Sequence, residues 1–258
     1  MKKLFLSALL FLFVFNSGTV FSLEFPQDFV LDNLPGFIQQ LKRTAVLILV
    51  TDKKLIVGTG FLTIDENKRI LVVTNQHVAS RGKPIFVRVN APDNKVVDYL
   101  ADIYRADEES DVAILTLKKI TPNQQWVSTD AIVPFAMYGS SADITEGKEI
   151  VYIGYPLGLG AEEKNYPVSR QGMIAQAIPG RNTFLIDGMV SHGNSGSPVF
   201  SRKDGKLLGL ISSFEPDYID SFENNRLISR VPFNAGMSKA TSAEAIKALL
   251  TAKQSQTK

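Results

Sequence analysis

The sequence predicts an all-β architecture of two strand sets, about six strands each, and three observations carry that reading. Short runs rich in Val, Ile and Leu recur between residues 45 and 231, with turn residues between them. Gly58, Gly60, Gly172 and Gly209 fall inside such runs, as bends at barrel corners would. Helical patterning is confined to a short stretch near residue 40 and to the tail, which argues against alternating β and α units. Barrels or sandwiches both satisfy the strand pattern. The interior glycines favour two small barrels in one compact unit.

At the N-terminus, Lys2 and Lys3 precede an apolar run from Leu4 to Phe15 that only Ser7 interrupts. Asn16, Ser17 and Gly18 end its helix, and Val20 and Ser22 suit a cut after Ser22. This is the layout of a secretory signal peptide over residues 1–22. The run is shorter than the roughly 20 apolar residues that cross a bilayer. Cleavage leaves residues 23–258 with 26 basic and 26 acidic side chains, a neutral balance with no footprint for nucleic acid. The expectation is an exported chain, periplasmic or secreted, with no stable membrane anchor after cleavage.

Next comes Phe37 to Arg43, a short helix preceded by Asn33, Leu34 and Pro35. Six strands follow: Ala45–Val50, Leu55–Ile64, Ile70–Thr74, Pro84–Asn90, Val96–Tyr104 and Val112–Leu117. Asp65-Glu66-Asn67 and Pro92-Asp93-Asn94 supply turns between them. The loop Lys119 to Ala131 divides this set, about 42–130, from a second, about 131–236. The second set comprises Glu149–Ile153, Val168–Ala177, Thr183–Ile186, Pro198–Phe200, Leu207–Ser212 and Leu227–Val231. A terminal helix over about 241–253 has Ser242 as its N-cap. Trp126 and the seven tyrosines form no stacking platform and read as barrel residues.

Composition narrows the chemistry. With 45% hydrophobic and 21% charged residues the chain is not disordered. The absence of cysteine excludes a disulfide scaffold, a thiol nucleophile and a Cys-rich metal site. Only His77 and His192 are available to a histidine mechanism. Two histidines and no H-E-x-x-H make a poor zinc set, so no metal and no cofactor is expected.

Three local patterns remain. Val72-Val73-Thr74-Asn75-Gln76-His77-Val78 delivers a histidine at the end of an apolar strand. Ser110-Asp111-Val112-Ala113-Ile114-Leu115 opens another strand with a carboxylate. Gly193-Asn194-Ser195-Gly196-Ser197-Pro198 surrounds a serine with glycines before a strand. A serine hydroxyl is a weak nucleophile and needs an imidazole to take its proton. A carboxylate on the other ring nitrogen secures the tautomer, and backbone N–H groups stabilise the developing oxyanion. Each pattern alone is ordinary, and Asp98, Asp102 and Asp107 compete with Asp111. Their order, His then Asp 34 residues on then Ser a further 84 on, makes coincidence an unsatisfactory account.

Together the three segments resemble those of the trypsin-like serine proteases, nearest in pattern to the disulfide-free bacterial branches, the HtrA-type proteases and the glutamyl endopeptidases. Weaker echoes are Gly58-Thr59-Gly60-Phe61, Ile153-Gly154-Tyr155-Pro156 and Gly205-Lys206-Leu207-Leu208-Gly209, so the similarity spans about residues 42–236. The resemblance implies two six-stranded antiparallel β-barrels with the cleft between them. It makes His77 the general base, Asp111 its orienting acid and Ser195 the nucleophile. The N–H groups of Gly193 and Ser195 would form the oxyanion hole. It implies protein or peptide substrates and a serine endopeptidase working through an acyl-enzyme.

Departures from the family pattern bear on regulation and specificity. Asn194 stands where animal members carry the aspartate that binds a newly cut N-terminus. After residue 236 there is little more than one helix, so no PDZ domain is expected. The substrate pocket is expected from Met189, Val190, His192, Ile211, Ser212 and Ser213, without a carboxylate for Lys or Arg, and His192 is read as bordering the entrance. The rival functions are a catalytically inactive binding protein on the same fold and an α/β-hydrolase esterase. The esterase needs G-x-S-x-G on a strand-to-helix turn with histidine after serine, and here Ser197-Pro198 leads into a strand and His77 precedes Ser195.

Overall fold

The computed structural model describes residues 34–90, 95–124, 127–128, 131–162 and 165–252. The expected signal peptide, the Pro92-Asp93-Asn94 turn and Trp126 lie outside the described residues.

Helix α1, Leu34–Thr44, carries Pro35 in its first turn and Lys42 and Arg43 in its last, where a cation suits the helix dipole. It buries Phe37 and Leu41. The chain then enters six strands: β1 Ala45–Val50, β2 Leu55–Ile64, β3 Ile70–Thr74, β4 Ile85–Asn90, β5 Val96–Asp107 and β6 Val112–Lys118. They close into an antiparallel barrel in the order β1-β2-β3-β6-β5-β4. A single helical turn, α2 Gln76–Ala79, follows β3. The second barrel uses β7 Glu149–Gly154, β8 Val168–Ala177, β9 Thr183–Asp187, β10 Pro198–Ser201, β11 Leu207–Glu223 and β12 Arg226–Ser242. It closes antiparallel as β10-β11-β12-β9-β8-β7.

Among the described residues three large apolar cores, with a smaller cluster of Leu47, Leu49, Tyr155 and Ala161, hold this arrangement. Val46, Ile48, Leu62 and Val87 fill the first barrel, and Tyr152, Ile186, Val199 and Leu208 fill the second. The third lies between the barrels. There Phe61 and Val73 of the first meet Val151 and Phe200 of the second, with Phe37 of α1 packed alongside. Helix α3, Ala243–Thr251, closes the same core with Ile246 and Leu250, and the Ser242 hydroxyl caps it by accepting from the Ala245 N–H at 3.3 Å. Strand β1 is apolar at all six positions because it is buried on both faces.

β11 and β12 differ from expectation. The sequence marks strands at Leu207–Ser212 and Leu227–Val231, yet each runs for 17 residues and they pair as one hairpin. Its outer half extends past the barrel.

Candidate active site

β3 lies between β2 and β6 in the first barrel, so its C-terminal end sets down His77 next to the start of β6, where Asp111 stands. The His77 Nδ1 lies 2.8 Å from Asp111 Oδ2 and 3.0 Å from Oδ1, and the His77 backbone N–H donates to Oδ1 at 3.0 Å. With Nδ1–H given to the carboxylate, the Nε2 lone pair is the free one.

Asp111 adopts φ +54°, a left-handed conformation that Asp tolerates better than most side chains. Buried Asn75 supports it, donating Nδ2–H to the Asp111 carbonyl at 2.9 Å. The Thr241 hydroxyl reaches across from the second barrel to the Ser110 carbonyl at 2.9 Å. Burial alone would raise the Asp111 carboxyl. The bonds from the His77 ring, the His77 N–H and the Ser212 hydroxyl outweigh that and hold it below the ordinary carboxylate value of 3.8. Competing aspartates are committed elsewhere: Asp98 to Arg88 and Lys54, Asp102 to Lys118, and Asp107 to Ser110.

Ser195 sits in a loop that is stapled to itself. The Asn194 N–H donates to the Ser191 carbonyl at 3.0 Å, and its side-chain oxygen accepts from the Ser191 N–H at 3.1 Å. Asn194 is a buried neutral amide that braces the turn. Gly193 has φ +92° and Gly196 φ +86°, and a Cβ on Gly193 would lie 2.1 Å from the Tyr155 carbonyl oxygen. Three carbonyls of the loop are held by neighbours. The Leu157 N–H donates to His192 at 2.6 Å, the Thr59 hydroxyl to Gly193 at 2.6 Å and the Thr59 N–H to Ser195 at 2.8 Å. The N–H groups of Gly193 and Ser195 have no acceptor among the described residues. Two preset donors with nothing to bond are what an oxyanion requires.

The Ser195 hydroxyl donates to the Ser212 carbonyl at 3.3 Å, and no hydrogen bond joins it to His77 among the described residues. Both side chains line one cleft of about 230 Å³. A larger surface hollow of about 550 Å³, bordered by Lys148, Glu149, Arg202 and Lys203, is lined by neither histidine nor serine. Among the described residues no cluster of His, Asp or Glu could hold a metal ion.

The expected pocket residues divide. Val190, His192, Ile211, Ser212 and Ser213 line the cleft, with Ser191 and Phe214 beside them. Met189 does not. Its carbonyl is pinned by the Tyr152 hydroxyl at 2.7 Å and by Arg170, and its side chain is 55% exposed. Phe214 is the apolar residue that lines the cleft there instead. Ser212 has a second role, because its hydroxyl donates to Asp111 Oδ2 at 3.1 Å. In the sequence Thr59 stands out only within the Gly58-Thr59-Gly60-Phe61 echo, which assigns its side chain no role. It is fully buried, accepts the Tyr155 N–H at 3.1 Å and ties barrel one to the serine loop.

Comparison with known proteins decides the family. A model of the trypsin-like peptidase domain matches residues 58–210. The chain belongs to the trypsin-like peptidases. It is 27% identical over 181 residues to the magnetosome formation protease MamE of Paramagnetospirillum magneticum, covering 69% of this chain and 22% of that protein. It is 30% identical over 153 residues to a probable periplasmic serine endoprotease, DegP-like, of Brucella suis, covering 59% of this chain and 26% of that protein. A zebrafish serine protease HTRA1A is 29% identical over 157 residues, covering 59% and 29%. The chain thus spans between about a fifth and a third of the length of these curated relatives. The crystal structure of a serine endoprotease from Yersinia pestis shares the fold, with a TM-score of 0.56 at 20% identity, over 83% of this chain and 63% of that one. Among these relatives the resemblance is to DegP-like and HTRA1A serine proteases.

Proposed function

We propose that this chain is an exported serine endopeptidase in which Ser195, His77 and Asp111 act as nucleophile, general base and orienting acid. The observation that carries the reading is the shared cleft. A His–Asp pair with its Nε2 free lies beside a serine whose loop leaves two N–H groups without acceptors.

In the proposed reaction His77 Nε2 takes the Ser195 proton as Oγ bonds to the substrate carbonyl carbon. The negative oxygen is received by the Gly193 and Ser195 N–H groups. His77 then returns the proton to the leaving amine, and water hydrolyses the acyl-enzyme by the same route. Asp111 remains ionised throughout because its carboxyl is held low. Export is supported by the basic start and apolar run of residues 2–15. Substrates are proteins or peptides. The test is hydrolysis of denatured casein by residues 23–258 without added metal; zinc-dependent activity would contradict it.

Specificity follows from the apolar walls Val190, Ile211 and Phe214, with Ser213 small and no acid among them. Cleavage after Val, Ala, Leu or Met is expected ahead of Arg, Lys or Glu, graded because one methylene is worth about 1–3 kcal/mol in such a pocket. A peptide library reads this directly, and a dominant Arg or Glu before the cut would contradict the assigned walls.

Thr59→Val keeps the side-chain shape but leaves the Gly193 carbonyl and the Tyr155 N–H unpaired in a buried place. The expected result is a kcat lowered about 10- to 100-fold with KM little changed, as befits a group acting on the transition state. Thr59→Ser, which retains the hydroxyl, should recover most of the loss.

A further inference from the structure

Beyond the barrel, β11 and β12 form an arm. They pair from Pro216↔Asn234 out to Glu223↔Arg226, closed by Asn224 and Asn225, both with positive φ as a tight hairpin turn needs. β10 pairs with β11 from Leu207 to Leu210 and no further out, and β9 pairs with β12 only from Met237 to Thr241. The arm is therefore a two-stranded ribbon with open edges, and ribbons of two strands are marginal in water without a third strand or a packed face. Its exposed side chains include Tyr218, Ile219, Phe222, Leu227, Ile228 and Val231. They fall on both faces of the ribbon, with Ile219 opposite Val231 on one and Phe222 opposite Leu227 on the other, and apolar side chains left exposed in this number mark an interaction site.

Two observations select the occupant. The open edge of β11 begins at the cleft, where Ser212, Ser213 and Phe214 line the site, and it continues unpaired to Glu223. A strand added antiparallel to β11 would thus run down the arm and enter the cleft at Ser195 with its C-terminal end. The second observation is charge. β11 carries Glu215, Asp217, Asp220 and Glu223 and no basic residue. Asp220 is neutralised by Arg230 at 2.7 Å, while the other three form no ion pair among the described residues. Joining the β11 edges of two copies would set acid against acid, which disfavours self-pairing.

We propose that the arm is an extended substrate track. An unfolded polypeptide adds to β11 as a third strand, with apolar and basic residues on the N-terminal side of the bond to be cut. This rests on the peptidase reading above. Pro216 has no N–H, so the ladder lacks one donor near its start. At about 3.3 Å per residue, positions 216–223 accommodate about eight substrate residues upstream of the cleft.

The test compares a short peptide substrate with one extended upstream by about eight residues containing Leu, Val and Lys. Wild type should cleave the extended peptide with a kcat/KM about tenfold higher or more. Ile219→Asp and Phe222→Asp, both at exposed positions, should erase that gain while leaving the short peptide within about twofold. Exchanging Lys for Glu in the peptide should do the same. Equal cleavage of both peptides by wild type, or an equal loss on both in the variants, would overturn the track. So would variants that change the mass in solution, which would make the arm a contact between copies. A Ser195→Ala chain that binds the fluorescent extended peptide through the arm, when wild type cleaves neither peptide, would uphold the track and sink the peptidase reading.

Discussion

Replacing Ser195 by Ala, or His77 by Ala, should each lower kcat on a peptide substrate by about 10³-fold or more, with the double variant scarcely worse than either single one. The two side chains act as one unit. Without Oγ no acyl-enzyme forms, and without the imidazole nothing takes its proton. Neither change should unfold the chain, since both side chains line an open cleft and neither is in an apolar core. Steady-state kinetics with a circular-dichroism check measures both points. Retained activity in Ser195→Ala would contradict the assignment.

Asp111→Asn should be nearly as damaging, about 10³-fold or more in kcat, although it changes one atom. The carboxylate accepts from three donors: the His77 ring, the His77 backbone N–H and the Ser212 hydroxyl. An amide offers one oxygen and presents two hydrogens of its own. Its NH₂ would meet Nδ1 as a donor and impose the tautomer that carries the proton on Nε2, where it blocks proton transfer. The pH profile separates this from simple misfolding. Wild-type activity should fall towards acid in a single step, since a general base must be unprotonated to act. Asp111 adds no second step above its ordinary value of 3.8, because its folded-state carboxyl lies lower. The stability it contributes is present above that value and is lost only as pH falls through the lower one.

Much of the fold is legible because buried strands must be apolar and β-branched. Ala45–Val50, Ile70–Thr74 and Val112–Leu117 show it, and their bounds differ from the structure by no more than a residue. The His77, Asp111 and Ser195 segments are legible because each stands at a strand end with unusual neighbours. The arm was not, because Glu215 to Glu223 mixes acids, Pro216 and apolar residues without a burial period, as suits a strand with no core to face. The Asn224-Asn225 pair, suited to a tight hairpin turn, is the one local signal in the sequence. Ser212 was assigned to the pocket wall by position alone. A bulge between Ile211 and Ser213 turns it so that its hydroxyl also reaches Asp111. Thr59 could not be found from sequence, since its hydroxyl partner, Gly193, lies 134 residues away. Met189 lies outside the cleft lining because Tyr152 and Arg170, on two strands, hold its loop carbonyl, a contact that linear spacing does not encode.

The central claim is that Ser195 is a nucleophile activated by His77. Incubation of the mature chain with a serine-directed fluorophosphonate, followed by mass spectrometry of its peptides, tests this directly. The predicted result is one adduct, on Ser195, formed in wild type and lost in His77→Ala. No adduct, or labelling of Ser195 that is as fast without His77, would contradict it.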